Sequence, residues 1–115
     1  MKYEIIKVPI YGILLRLVII KNDDEFSEAL SEFCDVNDYE VETTLACVCE
    51  DTEVFMAIFL RKNCKRKTII HECFHLTMSM IRYLGISTEH EEESSAYLND
   101  WINRKIYKSW KKLRK

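Results

Sequence analysis

Between residues 68 and 84 the apolar side chains Ile69, Cys73, Leu76, Met80 and Leu84 recur at helical spacing, and Gly85 follows where a helix would stop. This stripe predicts one long helix that must be covered by the rest of the chain. Along its border runs His71-Glu72-Cys73-Phe74-His75. Successive helical residues turn by about 100°, so the rings of His71 and His75 lie about 40° apart on one face. That separation lets two imidazole nitrogens meet one zinc ion at about 2.0–2.1 Å. Glu72 projects from the neighbouring face, in reach of a water on such an ion but not a ligand to it. Cys73 points about 160° away from His75 and is expected in the core.

Two histidines do not complete a catalytic zinc site; a third protein ligand is required. Met78-Ser79-Met80-Ile81 stands where a Gly-x-x-His continuation would fall, so the metzincin pattern is absent. The candidates lie in Glu89-His90-Glu91-Glu92-Glu93. A second helix is expected to begin there, after Ser87-Thr88, with Thr88 and Glu91 at capping-box spacing. Its expected buried face is Tyr97, Leu98, Trp101 and Ile102. On that phase Glu92 points away, and Glu93 lies one turn before Tyr97 at the margin of the core. Glu93 is therefore the first choice of ligand and His90 the second, while Glu91 and Glu89 stay open on geometry alone. Acidic residues here also complement a helix N-terminus. Tyr97 and Tyr83 fall near the site on the same phase, where a phenol can stabilise an oxyanion or pack its ring in the core.

The preceding residues supply the expected platform. Residues 3–8 and 11–20 are rich in Ile, Val and Leu and read as strands broken near Pro9 and Gly12. Asn22-Asp23-Asp24 reads as a turn and cap before a short amphipathic helix carrying Phe26, Ala29, Leu30 and Phe33. Residues 41–50 and 54–60 read as a strand pair, and residues 62–67 as a basic connector. The expectation is one α+β domain over residues 1–115. It comprises a small, mainly antiparallel sheet, one N-terminal helix and two C-terminal helices carrying the HExxH site, with a basic helical tail at about 104–115.

His71-Glu72-x-x-His75 followed by Glu93-Ser94-Ser95-Ala96-Tyr97 resembles the gluzincin class of zinc peptidases. More closely, it is similar to small phage-borne or prophage-borne HExxH proteins. In those, HExxH, a glycine some ten residues on and E-x-x-A-Y recur near the C-terminus. Phe74, Gly85, Ala96 and Tyr97 fit that pattern, and the resemblance covers about residues 69–101. It implies a strand-and-helix platform ahead of a two-helix zinc site, with Glu93 as the third ligand. It also implies a bacterial host cytoplasm. A counterpart of the C-terminal subdomain that walls the cleft of larger gluzincins is not expected.

The expected chemistry is zinc-assisted hydrolysis of a peptide or protein substrate. Zinc held by His71, His75 and Glu93 acidifies a water, and Glu72 takes its proton and hands it to the leaving amine. An extended peptide is expected along the sheet edge beside residues 54–60. The alternative is a non-catalytic zinc-binding interaction module of a phage or mobile element.

Charge bears on partners. The tail from Trp101 holds seven basic residues and no acidic one, against ten basic and nineteen acidic in residues 1–100. This reads as a solvated helix end complementing its own dipole, or as a docking arm for an acidic partner or nucleic acid. The apolar run 10–20 is too short, and too interrupted by Arg16, to span a bilayer, so no membrane partner is expected. The five cysteines, an odd number without CxxC spacing, are expected to be reduced thiols in a cytoplasmic protein. Cys64, near Lys62, Lys65 and Arg66, reads first as an unremarkable loop cysteine, with a reactive thiol of lowered pKa as the alternative.

Overall fold

The computed structural model of the chain describes residues 2–33, 46–51, 54–87 and 89–115. Four strands and three helices follow in the order β1 (Lys2–Lys7), β2 (Leu14–Ile20), α1 (Asp23–Phe33), β3 (Ala46–Glu50), β4 (Met56–Arg61), α2 (Arg66–Leu84) and α3 (Glu92–Leu113). The architecture is α+β around one mixed sheet of order β1-β2-β4-β3. β1–β2 and β3–β4 are antiparallel, whereas β2 and β4 run parallel. Residues 41–45, expected as the start of the third strand, lie outside the described residues.

β1 and β2 are joined by a tight turn in which Val8 N donates to Ile13 O at 2.8 Å and Gly12 N to Val8 O at 3.1 Å. Both Ile10 (φ 71°) and Gly12 (φ 68°) sit in the left-handed region. Glycine adopts it freely, but a β-branched side chain does so only under strain. Ile10 is also 97% exposed.

β2 and β4 are buried on both faces, which is why their sequences read as nearly continuous apolar runs. Leu15, Leu17 and Ile19 of β2 join Met56, Ile58 and Leu60 of β4 beneath α2 and α3. On the opposite face Val18, Ile20, Ala57 and Phe59 meet Phe26, Ala29, Leu30 and Phe33 of α1. Arg16 also points to that side and is 1% exposed. Its guanidinium carbon lies 4.1 Å from the Phe33 ring and 5.0 Å from that of Tyr3, and its Nε lies 3.5 Å from Asp51 Oδ2. The expectation that residues 54–60 form a sheet edge does not hold. β4 has a neighbour on each side, so its backbone has no free hydrogen-bonding row to offer a peptide.

α2 begins two residues earlier than its apolar stripe suggests and ends on Gly85 (φ 71°). There Gly85 N donates to Arg82 O and Ile86 N to Ile81 O, closing the last turn. Ile69, Leu76 and Met80 are fully buried, each contributing about 1.5–3 kcal/mol of transfer free energy. Leu98, Ile102, Ile106 and Trp110 form the matching stripe of α3.

α3 departs from expectation at its start. It begins at Glu92 with Glu91 as the N-cap residue and no side-chain cap. The anticipated capping box is not formed by Glu91, and Thr88 lies outside the described residues. Tyr97 is 70% exposed rather than part of the buried face. The four-residue spacing from Leu98 to Trp110 sets the phase of the helix, and Tyr97 falls about 100° off it.

Candidate metal centre

α2 carries the HExxH residues on a rigid, fully packed support. Cys73 faces inward and is fully buried, and desolvation pushes its thiol up to about 12. His71 and His75, one turn apart, therefore emerge on the outer side, and both rings are exposed. Their centroids are 4.7 Å apart with the planes at 76°. The two Nε2 atoms converge to 3.1 Å. Two neutral lone pairs so close need a proton or a cation between them; two imidazolium rings would repel. Two nitrogens bound tetrahedrally to one zinc at about 2.0–2.1 Å stand about 3.3–3.4 Å apart. The pair thus fits one edge of a metal coordination sphere with little adjustment.

Glu72 is half-buried beside the pair. Burial raises its carboxyl above the usual carboxylate range, and the charges of His75 and His71 offset part of that rise. A carboxyl held in this way is a better proton acceptor than a solvated one.

The prospective third ligands are not gathered with the histidines. Among the described residues no group of three or more His, Cys, Asp and Glu side chains is placed to hold a metal. The packing of α2 on α3 gives the reason. The Thr77 hydroxyl donates to Cys73 O at 2.8 Å and lies 3.1 Å from Asn99 Oδ1. Arg66 stacks over Tyr107, with 3.7 Å from Cζ to the ring centroid. The helices therefore run antiparallel, with Asn99 level with Thr77. Glu93 lies six residues before Asn99, about 9 Å along the axis, in the direction away from His75. His90 is further on, its backbone N–H held by Ser87 Oγ at 3.3 Å. Both Glu93 and His90 are exposed, as are Glu89, Glu91 and Glu92.

The two tyrosines expected near the site have other places. Tyr83 packs on Phe55, with ring centroids 4.1 Å apart, about 12 Å along α2 from His75. Tyr97 lines a cleft of about 330 Å³ between the β1–β2 turn and α3, with Pro9, Ile10, Trp101 and Arg104. The residues that sequence reasoning missed are Thr77, Asn99 and Asn103. Asn103 Nδ2 donates to Asn99 O at 2.9 Å and to Asn99 Oδ1 at 3.2 Å, which orients Asn99 toward Thr77. Thr77 interrupts the apolar face of α2 at full burial, and a polar residue in such a place requires a partner.

Cysteine chemistry differs from expectation at two positions. Cys49 is disulfide-bonded, so not every cysteine is a reduced thiol; its partner lies outside the residues whose side chains are described. Cys64 and Cys73 are free. The Cys64 thiol is not lowered by nearby cations but pushed up to about 11, because burial outweighs the field of Arg114. Among the described residues no helix is long and apolar enough to cross a membrane.

The sequence matches no family model, and no curated protein or solved structure is similar to it.

Proposed function

We propose that this chain is a zinc metallopeptidase of the HExxH type. The observation that carries the reading is the 3.1 Å convergence of His71 Nε2 and His75 Nε2 beside the half-buried Glu72. His71 and His75 hold the metal, and Glu93 is the third ligand. When bound, zinc acidifies a water and polarises the scissile carbonyl. Glu72 accepts the proton through its carboxylate, which partial desolvation has made more basic, and delivers it to the leaving amine nitrogen.

Supply of Glu93 requires the start of α3 to move along α2 toward His75, against the register that the Thr77–Asn99 contact sets. The first turn of α3 lacks a side-chain cap and presents Glu91, Glu92 and Glu93 to solvent side by side. A cation relieves the repulsion among them. The test is cleavage of an unstructured protein by the zinc-loaded chain and by Glu72→Gln. The proposal expects cleavage only by the former, with both retaining zinc. Equal cleavage by the two removes Glu72 from the reaction.

The exposure of the histidine pair on the outer face of α2 supports a second reading, a zinc-binding interaction module without catalysis. There the ion ties α2 to α3, and Glu72→Gln leaves both metal and biological effect intact.

A further inference from the structure

The β4–α2 connector and the end of α3 are far apart in sequence, yet the fold brings them together. Trp110 Nε1 donates to Arg61 O at 3.1 Å, pinning the last turns of α3 against the end of β4. Arg66 covers Tyr107, Arg114 covers Trp110 at 4.3 Å, and Lys2 Nζ donates to Lys115 O. The result is one pole of the molecule surfaced by Lys62, Lys65 and Lys67 from the connector and by Lys108, Lys111 and Lys112 from α3. All six are exposed. Among the described residues no carboxylate forms an ion pair with any of them; Asp23, the acidic neighbour, is taken by Arg61. A shallow cleft of about 750 Å³ between Lys21, Lys62 and Arg114 continues into one of about 510 Å³ between Lys21, Lys65 and Lys67.

We propose that this basic pole binds the phosphate backbone of duplex nucleic acid without reading its sequence. It is a composite, rigid surface and not a free arm, since α3 is helical to Leu113 and packed to Trp110. Three features select the partner. Exposed large apolar side chains are absent from the connector and from α3 beyond Tyr97 among the described residues, so a protein partner finds no anchor there. Trp110 is 4% exposed and Tyr107 lies beneath Arg66 and Lys111, so unstacked bases have no aromatic platform. What remains is a field of cations suited to a regular array of phosphates.

The overall charge of −2 does not oppose this. α3 is 22 residues long, about 33 Å, and its acidic first turn lies at the opposite end. That distance is about four Debye lengths at physiological salt, so the two ends act independently. Lys67 precedes His71 by one helical turn on the same face, and the surface therefore borders the histidine pair.

The test is fluorescence anisotropy with a labelled 20-base-pair duplex of arbitrary sequence, titrated with the full chain. With about five phosphate contacts, affinity falls about 500-fold between 50 and 200 mM salt. The connector variant Lys65→Glu/Lys67→Glu and the tail variant Lys111→Glu/Lys112→Glu each lose about tenfold or more at 50 mM and show a shallower salt slope. Lys65→Gln/Lys67→Gln shows a smaller loss in the same direction, with an unchanged circular dichroism spectrum. His71→Ala binds the duplex like wild type, which separates this surface from the metal reading. Full affinity in the connector variant would show that the tail acts alone and overturn the composite site. Equal competition by polyglutamate, or tighter binding of single-stranded DNA, would overturn the choice of partner.

Discussion

His71 Nε2 faces His75 Nε2 at 3.1 Å across one turn of α2. Neutral imidazole ligates, whereas imidazolium does not, and metal binding to such a pair releases protons. Zinc should therefore raise the thermal midpoint clearly at pH 7.5 and much less at pH 5, where protons compete with the metal for the pair. Differential scanning calorimetry with and without zinc at pH 5 and 7.5 checks this. An equal zinc effect at both would point to oxygen ligands instead.

Glu72 allows a test in the metal-free protein. Its carboxyl is raised in the fold, chiefly by desolvation, so the folded state holds its proton more tightly than the unfolded chain. The linked stability is present below the unfolded value and is lost as pH rises through the folded one. Glu72→Gln, which cannot ionise, should be at least as stable as wild type at pH 8 without metal, and the gap should close toward pH 4. Urea titrations at the two pH values measure it. A variant clearly less stable at pH 8 would mean that the carboxylate is favourably paired.

Arg16 and Asp51 form an ion pair with both side chains essentially buried, and Asp51 Oδ1 also accepts from Val54 N at 3.3 Å. Asp51→Ala should cost about 3–5 kcal/mol, because it removes a buried charge partner of Arg16. Replacing Arg16 by Met as well should recover much of that loss. A double variant no better than Asp51→Ala would show that Arg16 is held by its other contacts, the Tyr3 and Phe33 rings among them, more than by the carboxylate.

Gly85 gives a cleaner measure of backbone cost. Its φ is 71°, and a Cβ added there would meet nothing within 4 Å. Gly85→Ala should therefore lose about 1 kcal/mol from conformation alone. A loss several times larger in chemical denaturation would indicate that the 85–91 segment packs more tightly than it does here.

Much of this fold is legible in the chain because each helix advertises its own buried face. Ile69, Cys73, Leu76 and Met80 specify α2 and Gly85 its end, and Phe26 to Phe33 specify α1. What periodicity cannot carry is neighbour order. β4 reads as a strand either way, and only the pairing with β2 on one side and β3 on the other removes it from the edge. Helix phase fails for a related reason. Tyr97 and Leu98 are adjacent apolar residues, and the stripe that decides between them runs on to Trp110 inside a segment dominated by charge. The convergence of His71 and His75 is local and therefore readable. The position of Glu93 depends on how far α3 slides along α2, which Thr77 and Asn99 set through a contact no spacing rule foretells.

Elemental analysis of purified protein tests whether the histidine pair holds a metal, without knowledge of any substrate. The wild-type protein should hold close to one zinc per chain after dialysis against excess zinc. His71→Ala and His75→Ala should each lose most of it, and Glu93→Ala should weaken it similarly. Glu72→Gln and Glu92→Ala should leave it nearly unchanged. Full occupancy in Glu93→Ala with loss in His90→Ala would contradict the ligand set at that position. A wild-type chain that takes up no zinc at pH 7.5 would contradict a metal site at His71 and His75.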